Sequence, residues 1–303
     1  MTIVVNHRRD KPALGIATFM GNLLLMTILS AFVKLLSETY PLSAILLIRF
    51  FSAFLFFSLL VFPRFGISGL HTKRPWEHAI RSFSGVASLS MFFFAISMVP
   101  MADATAISYS APLFITILSI FFLNEKIGPA RWSAVIAGFC GVLIIAQPTG
   151  ATINSGLVAA IGSAIFGAIV AIWLRRLSDT EKSATIGFYY NTTGLSICIA
   201  WFLFNDPVYP NPADMGLFLI FALCCAAQQW LLTISFRYAE ASLLAPFDYF
   251  AMVFAAILGY WVWFEIPTIE TIIGGSIIAV SGLVIFFRKR SKATTTMAYG
   301  NPP

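Results

Sequence analysis

Charged side chains are scarce in this chain of 303 residues. Only 11% of the residues are charged, whereas 59% are hydrophobic. A soluble globular domain carries about 25% charged residues, so this composition excludes a water-soluble protein. The sequence therefore predicts a protein that lies in a lipid bilayer.

The sequence also lacks the motifs that support ATP hydrolysis or metal chemistry. It contains no GxxxxGKS/T phosphate-binding loop, no HExxH pair and no cluster of histidine and acidic residues. The four cysteines lie in apolar runs without the spacing of a metal site or a disulfide framework. We therefore expect no cofactor, no metal and no enzymatic activity. A membrane-embedded enzyme that modifies lipid is a distant alternative, because it would need a nucleophile, a base or metal ligands close together.

Long apolar runs dominate what the sequence does contain. Each is close to the roughly 20 residues that an α-helix needs to cross a bilayer core. The runs lie at about 13–32, 42–62, 78–98, 104–123, 132–146, 155–174, 184–204, 215–235, 242–264 and 269–287. An open strand edge has no hydrogen-bond partner in hydrocarbon, so all ten are expected to be helices. The predicted fold class is an all-α membrane protein with ten transmembrane helices.

Lysine and arginine are distributed unequally among the predicted loops. Most of the 19 basic residues lie at the two termini and in the loops after helices two, four, six and eight, and the opposite loops hold only Lys34. Basic residues are retained on the cytoplasmic side of short loops. The pattern predicts a multi-pass protein of a bacterial-type inner membrane, with both termini cytoplasmic. The net charge of +6 then reflects orientation and not a nucleic-acid partner.

The sequence repeats itself between its fourth and fifth helices and its ninth and tenth. The matched positions are Asp103 and Glu240, Pro112 and Pro246, Glu125 and Glu265, and Gly141 and Gly282. When a unit with an odd number of helices is duplicated, its two copies enter the membrane from opposite sides. The sequence thus predicts inverted five-helix repeats at 13–147 and 155–288, followed by a cytoplasmic tail at 289–303. Secondary transporters recurrently use this architecture, with the substrate site at the repeat interface.

Three stretches also resemble a known family. They are ATAISYSAPLFITILSIFFLNEKIGPARWSAVIAGFCGVLII, its echo APFDYFAMVFAAILGYWVWFEIPTIETIIGGSIIAVSGLVI, and the pair Arg49 and Phe50. The sequence resembles the drug/metabolite transporter superfamily, EamA type, over nearly its whole length. The resemblance implies ten helices, two EamA repeats, a central cavity and alternating access. At subgroup level the sequence is similar to bacterial carriers of riboflavin and of S-adenosylmethionine.

Polar side chains inside the predicted helices are the candidates for substrate binding or ion coupling, because they are costly in lipid. Asp248 is the only acid well inside an apolar run, and it suits a proton, a cationic substrate group or a structural hydrogen bond. Arg49 suits an anionic group, but the family pattern favours a structural contact to helix-end carbonyls or an acid. Gln228 and Gln229 are adjacent, and we expect at most one of these two amide side chains to line a cavity. The remaining candidates are Gln228, Gln229, Trp230, Asn22, Tyr109, Tyr190 and Tyr249.

Two further features bear on mechanism. Pro112 and Pro246 lie early in helices four and nine, where a lost backbone hydrogen bond allows a kink that could gate access. The alternative is that they are ordinary first-turn prolines. Glu125 and Glu265 lie at hinge loops on opposite membrane faces, where we expect them to cap helices or to pair with a basic residue.

Aromatic residues, 15% of the chain, provide the hint about substrate. Two or three buried tyrosines or tryptophans that meet at the repeat interface would stack on a flat heteroaromatic ligand. The favoured function is therefore uptake of riboflavin or a similar vitamin by a secondary transporter. The alternative is transport of S-adenosylmethionine or another amino-acid-derived metabolite, for which Asp248 suits a cationic ligand. The expected partners are a small-molecule substrate, membrane lipid and a coupling proton, and a monomer and a homodimer both stay open.

Overall fold

The computed structural model describes residues 11–66, 71–123, 127–147, 154–178, 180–204, 207–239 and 241–298. Within these ranges the regular structure is entirely helical, and the α-helices are α1 (Pro12–Leu36), α2 (Leu42–Phe65), α3 (Pro75–Met98), α4 (Met101–Ser108), α5 (Ala111–Leu123), α6 (Pro129–Ala146), α7 (Ser155–Ser178), α8 (Ser183–Phe204), α9 (Met215–Tyr238), α10 (Ala241–Leu244), α11 (Phe250–Trp263) and α12 (Ile269–Ala298). Short 3₁₀ segments occupy Pro212–Asp214 and Ala245–Tyr249.

The helices combine into ten membrane spans. The pair α4 and α5 forms the fourth span, and α10, the 3₁₀ segment Ala245–Tyr249 and α11 form the ninth. In the part of the chain that the structure describes, nine segments are long and apolar enough to cross a bilayer. The tenth span, α8, has 22 residues and carries the polar sequence YYNTT near its centre. The prediction of an all-α, ten-helix membrane protein is confirmed.

Proline sets several of the helix boundaries. The helices α1, α3 and α6 each begin at a proline, which lacks the N–H that a first-turn residue leaves unbonded in any case. Prolines also coincide with the two broken spans. The helix stops at Ser108 and restarts at Ala111 just before Pro112, and the segment containing Pro246 is 3₁₀ instead of α-helical. Both prolines therefore lie in the first turn of the segment that follows the break, and a gating role for them stays a prediction.

The first six helices pack mainly against the last six. Helix α3 lies along α7, and the equivalent pair five spans apart, α1 and α9, is packed in the same way. The pairs α2 with α8 and α6 with α12 join corresponding spans directly. The spans therefore alternate between the two halves of the chain, and any space left at the centre lies between the halves.

Helices α6 and α12 approach each other through glycine. A Cβ added at Gly141 would lie 2.7 Å from the carbonyl oxygen of Gly274, and one at Gly274 would lie 2.6 Å from that of Gly141. Either distance is too short for a side-chain carbon, so only glycine allows the two backbones to touch there.

The last helix is longer than its membrane span. The apolar span ends at Phe287, but α12 continues through Ala298. The predicted repeat boundary at 288 therefore falls inside a helix. The sequence from 288 to 298 contains neither proline nor glycine, so nothing in it breaks the helix.

Candidate functional site

A cavity of about 660 Å³ lies between the two halves of the bundle. Its volume is in the range of about 300–1,000 Å³ that is typical of small-molecule sites. Residues of α1, α3, α4, α5, α6, α7, α8, α11, α12 and the 3₁₀ segment Ala245–Tyr249 line it. The charged residues of the lining are Arg81, Arg131 and Asp248.

The two broken spans meet at one wall of this cavity. Tyr109 lies in the turn between α4 and α5, and Asp248 and Tyr249 lie in the 3₁₀ segment. The rings of Tyr109 and Tyr249 are 6.3 Å apart between centroids and inclined by 52°. Four of the nine candidate residues named from the sequence line the cavity: Tyr109, Tyr190, Asp248 and Tyr249.

Three of the other candidates lie in the contact between α1 and α9. The Gln228 Nε2 donates a hydrogen bond of 2.7 Å to Asn22 Oδ1, and both side chains are buried. Gln229 is buried as well, so neither amide of the adjacent pair is among the residues that line the cavity. The hydrogen bond between Asn22 and Gln228 therefore links one half of the bundle to the other.

The last two candidates are also outside the lining. Trp230 is 51% exposed on the outer surface of the bundle, where its ring packs edge-on against Phe56. Arg49 is buried in α2, and its Nε and Nη1 have no hydrogen-bond acceptor among the described residues. The contacts to carbonyls or an acid that were expected for Arg49 are therefore missing at these two nitrogens.

Arg81 is a cavity residue that the sequence reasoning missed. It lies about 9 Å into α3 at 1.5 Å per residue. Its guanidinium carbon is 4.2 Å from the centroid of the Tyr190 ring. Arg131, near the start of α6, is buried and lines the cavity as well. For Arg81 the sequence offers one signal, which is an arginine inside the predicted run 78–98.

Helix α3 presents a regular stripe to the cavity. The stripe consists of Arg81, Gly85, Ser88, Leu89 and Phe92, which lie on one face of a helix with 3.6 residues per turn. A Cβ at Gly85 would lie 2.7 Å from Cε2 of Tyr190, so the missing side chain makes room for that ring. The Ser88 hydroxyl donates a 2.9 Å hydrogen bond to the Ser163 carbonyl of α7. The stripe thus joins the cavity wall to the neighbouring half of the bundle.

At the end of the bundle away from Arg81, polar contacts join α1, the residues between α3 and α4, and the end of α11. We call this group the Lys34 cluster, which comprises Lys34, Glu265, Trp263 and the backbones of Val99 and Met101. The Lys34 Nζ forms an ion pair with Glu265 Oε1 and donates a 3.3 Å hydrogen bond to the Val99 carbonyl. The Met101 N–H donates to Glu265 Oε2 at 3.0 Å. The expected pairing of Glu265 with a basic residue is confirmed, and Glu125 lies outside the described residues.

A backbone feature positions Glu265. Phe264 ends α11 in the left-handed region at φ 57°, which is uncommon for a residue with a side chain. The Glu265 N–H then donates to the Gly259 carbonyl at 3.1 Å. This reversal turns the carboxylate back toward Lys34. A second contact at the same end runs from the Thr271 hydroxyl to Asp103 Oδ1, at 2.5 Å.

One polar contact outside the spans joins the turn after α1 to the start of α9. The Tyr40 hydroxyl donates to Asp214 Oδ2 at 2.5 Å and accepts from the Asn211 N–H at 3.1 Å. The hydrogen bond to the Asp214 carboxylate raises the pKa of Tyr40, because it favours the neutral phenol.

Comparison with known proteins identifies the family. The EamA-like transporter family matches residues 13–147 and again residues 154–287. A solved crystal structure superposes with a TM-score of 0.61 at 19% identity, over 89% of this chain and 96% of that one, which is a likeness of fold.

Three relatives are named as transporters. The chain is 30% identical over 245 residues to an S-adenosylmethionine uptake transporter of Rickettsia bellii, covering 79% of this chain and 83% of that one. It is 29% identical over 233 residues to a riboflavin transporter of Rhizobium johnstonii, covering 77% of each. It is 29% identical over 269 residues to the pseudopaline exporter CntI of Pseudomonas aeruginosa, covering 87% and 93%. The chain belongs to the EamA-like transporter family of the drug/metabolite transporter superfamily, and it is a multi-pass membrane transporter of small metabolites.

Proposed function

We propose that this chain is a secondary transporter that moves a heteroaromatic metabolite by alternating access. The observation that carries the proposal is the cavity between the halves, into which the two broken spans bring Tyr109, Tyr249 and Asp248. Aromatic rings offer stacking surface to a flat ligand. A single ionisable group within a membrane span offers a binding point for a proton or a cation.

Riboflavin is the first candidate substrate. Its flat ring system suits a cavity lined by Tyr109, Tyr190, Tyr249 and Phe92, and one relative carries the name of a riboflavin transporter. The proposed direction is uptake.

S-adenosylmethionine is the second candidate, favoured by the position of Asp248 in the cavity lining. It carries a heteroaromatic adenine and a positively charged sulfonium, and a carboxylate attracts the latter. A relative is named as its uptake transporter. Because another relative is named as an exporter, the same experiments must also test the direction of transport.

The proposed transport cycle opens and closes the two ends of the bundle in turn. The lining includes Arg81, Arg131 and Phe286, which lie toward the end that the charge pattern predicts to be cytoplasmic. The Lys34 cluster closes the opposite end. We infer an inward-facing arrangement, from which the other state is reached by breaking that cluster. Asp248 is the proposed proton carrier.

Uptake assays test the proposal directly. We expect the expressed gene to rescue growth of a riboflavin-requiring strain on low riboflavin, or membrane vesicles to accumulate radiolabelled S-adenosylmethionine. Protein level in the membrane is measured in parallel. Failure of both assays with protein present would contradict the proposed substrate class.

The predicted orientation has its own test. Reporter fusions placed after α2 and after α7 are both expected to report the cytoplasm of the bacterial inner membrane. Reporters on different sides of the membrane would contradict the inverted arrangement of the halves.

A further inference from the structure

The guanidinium of Arg81 lies in the cavity wall without an ion pair to any acid that the structure describes. Its Nε and Nη1 have no hydrogen-bond acceptor among the described residues, and the neighbour that covers it is the Tyr190 ring at 4.2 Å. In the described part of the chain, the titratable side chain that the structure places against the guanidinium is Tyr190, which is a phenol and not a carboxylic acid. Removing a charge from water without a partner is costly, so this arrangement is incomplete as it stands.

Among the residues that the structure describes, no ion pair joins Arg81 to a carboxylate. Glu77 forms an ion pair with Arg74 at 2.7 Å. Glu181 accepts a hydrogen bond from the Thr72 hydroxyl at 2.7 Å. Asp248, the carboxyl of the cavity lining, lies in the 3₁₀ segment Ala245–Tyr249 and forms no ion pair with Arg81. None of these acids balances the charge of Arg81.

The surroundings of Arg81 are built to hold its guanidinium flat. Gly85, one turn further along α3, leaves room for the Tyr190 ring, and Phe50 packs edge-on against that ring at 5.5 Å between centroids. An arginine stacked on an aromatic ring loses little freedom when it forms further hydrogen bonds. Its planar fork matches the two oxygens of a carboxylate or phosphate.

We propose that Arg81 binds an acidic group of the transported molecule, so that the substrate is a heteroaromatic metabolite that carries a carboxylate or a phosphate. This inference rests on the proposed function, because it takes the cavity to be the transport site. It also favours S-adenosylmethionine over riboflavin as the substrate. S-adenosylmethionine carries a carboxylate for Arg81 and a cationic centre for Asp248, whereas riboflavin carries no acidic group.

Matched ligand pairs test the inference without any mutation. Binding is measured by calorimetry on the full chain in nanodiscs of phosphatidylcholine, so that no anionic lipid headgroup competes for Arg81. The first pair is S-adenosylmethionine and its decarboxylated analogue, and the second is flavin mononucleotide and riboflavin. In at least one pair we expect the acidic member to bind at least about tenfold more tightly, since the acid would pair with a partly buried cation that otherwise has no anion beside it.

Variants then assign the preference to Arg81. In Arg81→Gln the two members of the preferred pair are expected to bind within about threefold of each other, and Arg81→Lys is expected to keep part of the preference because the charge remains. Arg237→Gln is the matched control, because Arg237 is exposed at the end of α9 and outside the cavity lining. It is expected to leave both affinities unchanged.

The outcomes separate the two proposals. Equal binding within both pairs, or tighter binding of the members without an acidic group, would overturn the inference and leave a heteroaromatic transporter in place. A preference that survives Arg81→Gln would also overturn it. Binding of none of the four compounds would remove the proposed substrate class and the inference together.

Discussion

Lys34 and Arg81 are both cations inside the same helix bundle, yet their environments are opposite. Lys34 has a carboxylate, a carbonyl oxygen and a Trp263 ring around its ammonium group. Arg81 has the ring of Tyr190 and no anion among the described residues. They lie toward opposite ends of the bundle, roughly 25 Å apart along the length of α3. A fully paired charge stabilises one arrangement of the helices, whereas an unpaired charge beside a cavity leaves a place for a ligand.

The largest effect is expected on the cavity side, from Asp248→Asn. Asparagine keeps the size of the side chain, but its amide can neither bind and release a proton nor carry a negative charge. We expect accumulation driven by a pH gradient to be lost entirely, as measured by uptake into vesicles with and without an imposed gradient. Glu38→Gln removes an exposed acid near the other end and is the control. If Asp248→Asn still accumulated substrate in response to a pH gradient, Asp248 would not be the residue that couples transport to protons.

The next effect is expected on the closed side, from Lys34→Met. This change leaves Glu265 without its cation, and a partly buried charged hydrogen bond contributes about 1.5–3 kcal/mol. Thermal unfolding in nanodiscs should show the loss, and Glu265→Gln should show a similar one. The double variant should lose less than the two single losses added together, because the interaction is shared. Additive losses would mean that the ion pair does not stabilise the closed end.

A smaller effect on the cavity side is expected from Gly85→Ala. The new methyl group would meet the Tyr190 ring at 2.7 Å, so the ring must move away from Arg81. We expect several-fold weaker binding of the preferred ligand in calorimetry with little loss of folded protein. Gly216→Ala is the matched control, since a Cβ there meets nothing within 4 Å. Unchanged affinity in Gly85→Ala would show that the position of the ring does not prepare Arg81 for binding.

The smallest effect is expected from Tyr40→Phe, away from both regions. The pKa of Tyr40 is raised by Asp214, so the hydrogen bond stabilises the fold fully below the ordinary tyrosine pKa of 10.0 and is lost as the pH rises through the raised value. Tyr40→Phe should therefore lower the unfolding temperature slightly at pH 7, and wild type and variant should converge above pH 10. A difference that persists at high pH would point to packing of the ring instead.

Local sequence signals were sufficient for the spans and their breaks. Apolar length predicts each helix, and Pro112 and Pro246 mark the two broken spans because proline acts on its own helix turn. The partners of a side chain depend on which helix faces it, and that is a property of the assembled bundle. Asn22 and Gln228 stood out as polar residues in lipid, but only the packing of α1 on α9 shows that they bond to each other. The role of Arg81 was missed for the same reason, because the sequence of α3 does not determine that Tyr190 of α8 lies beside it.

The contact between Gly141 and Gly274 has a consequence for movement. Main chain touches main chain where α6 meets α12, so no flexible side chain lies between them to absorb a displacement. These helices are the last span of each half, and Gly274 lies one turn along α12 from Thr271, which bonds to Asp103. When the Lys34 cluster breaks, we therefore expect the two halves to rotate about this glycine contact, and not to separate there.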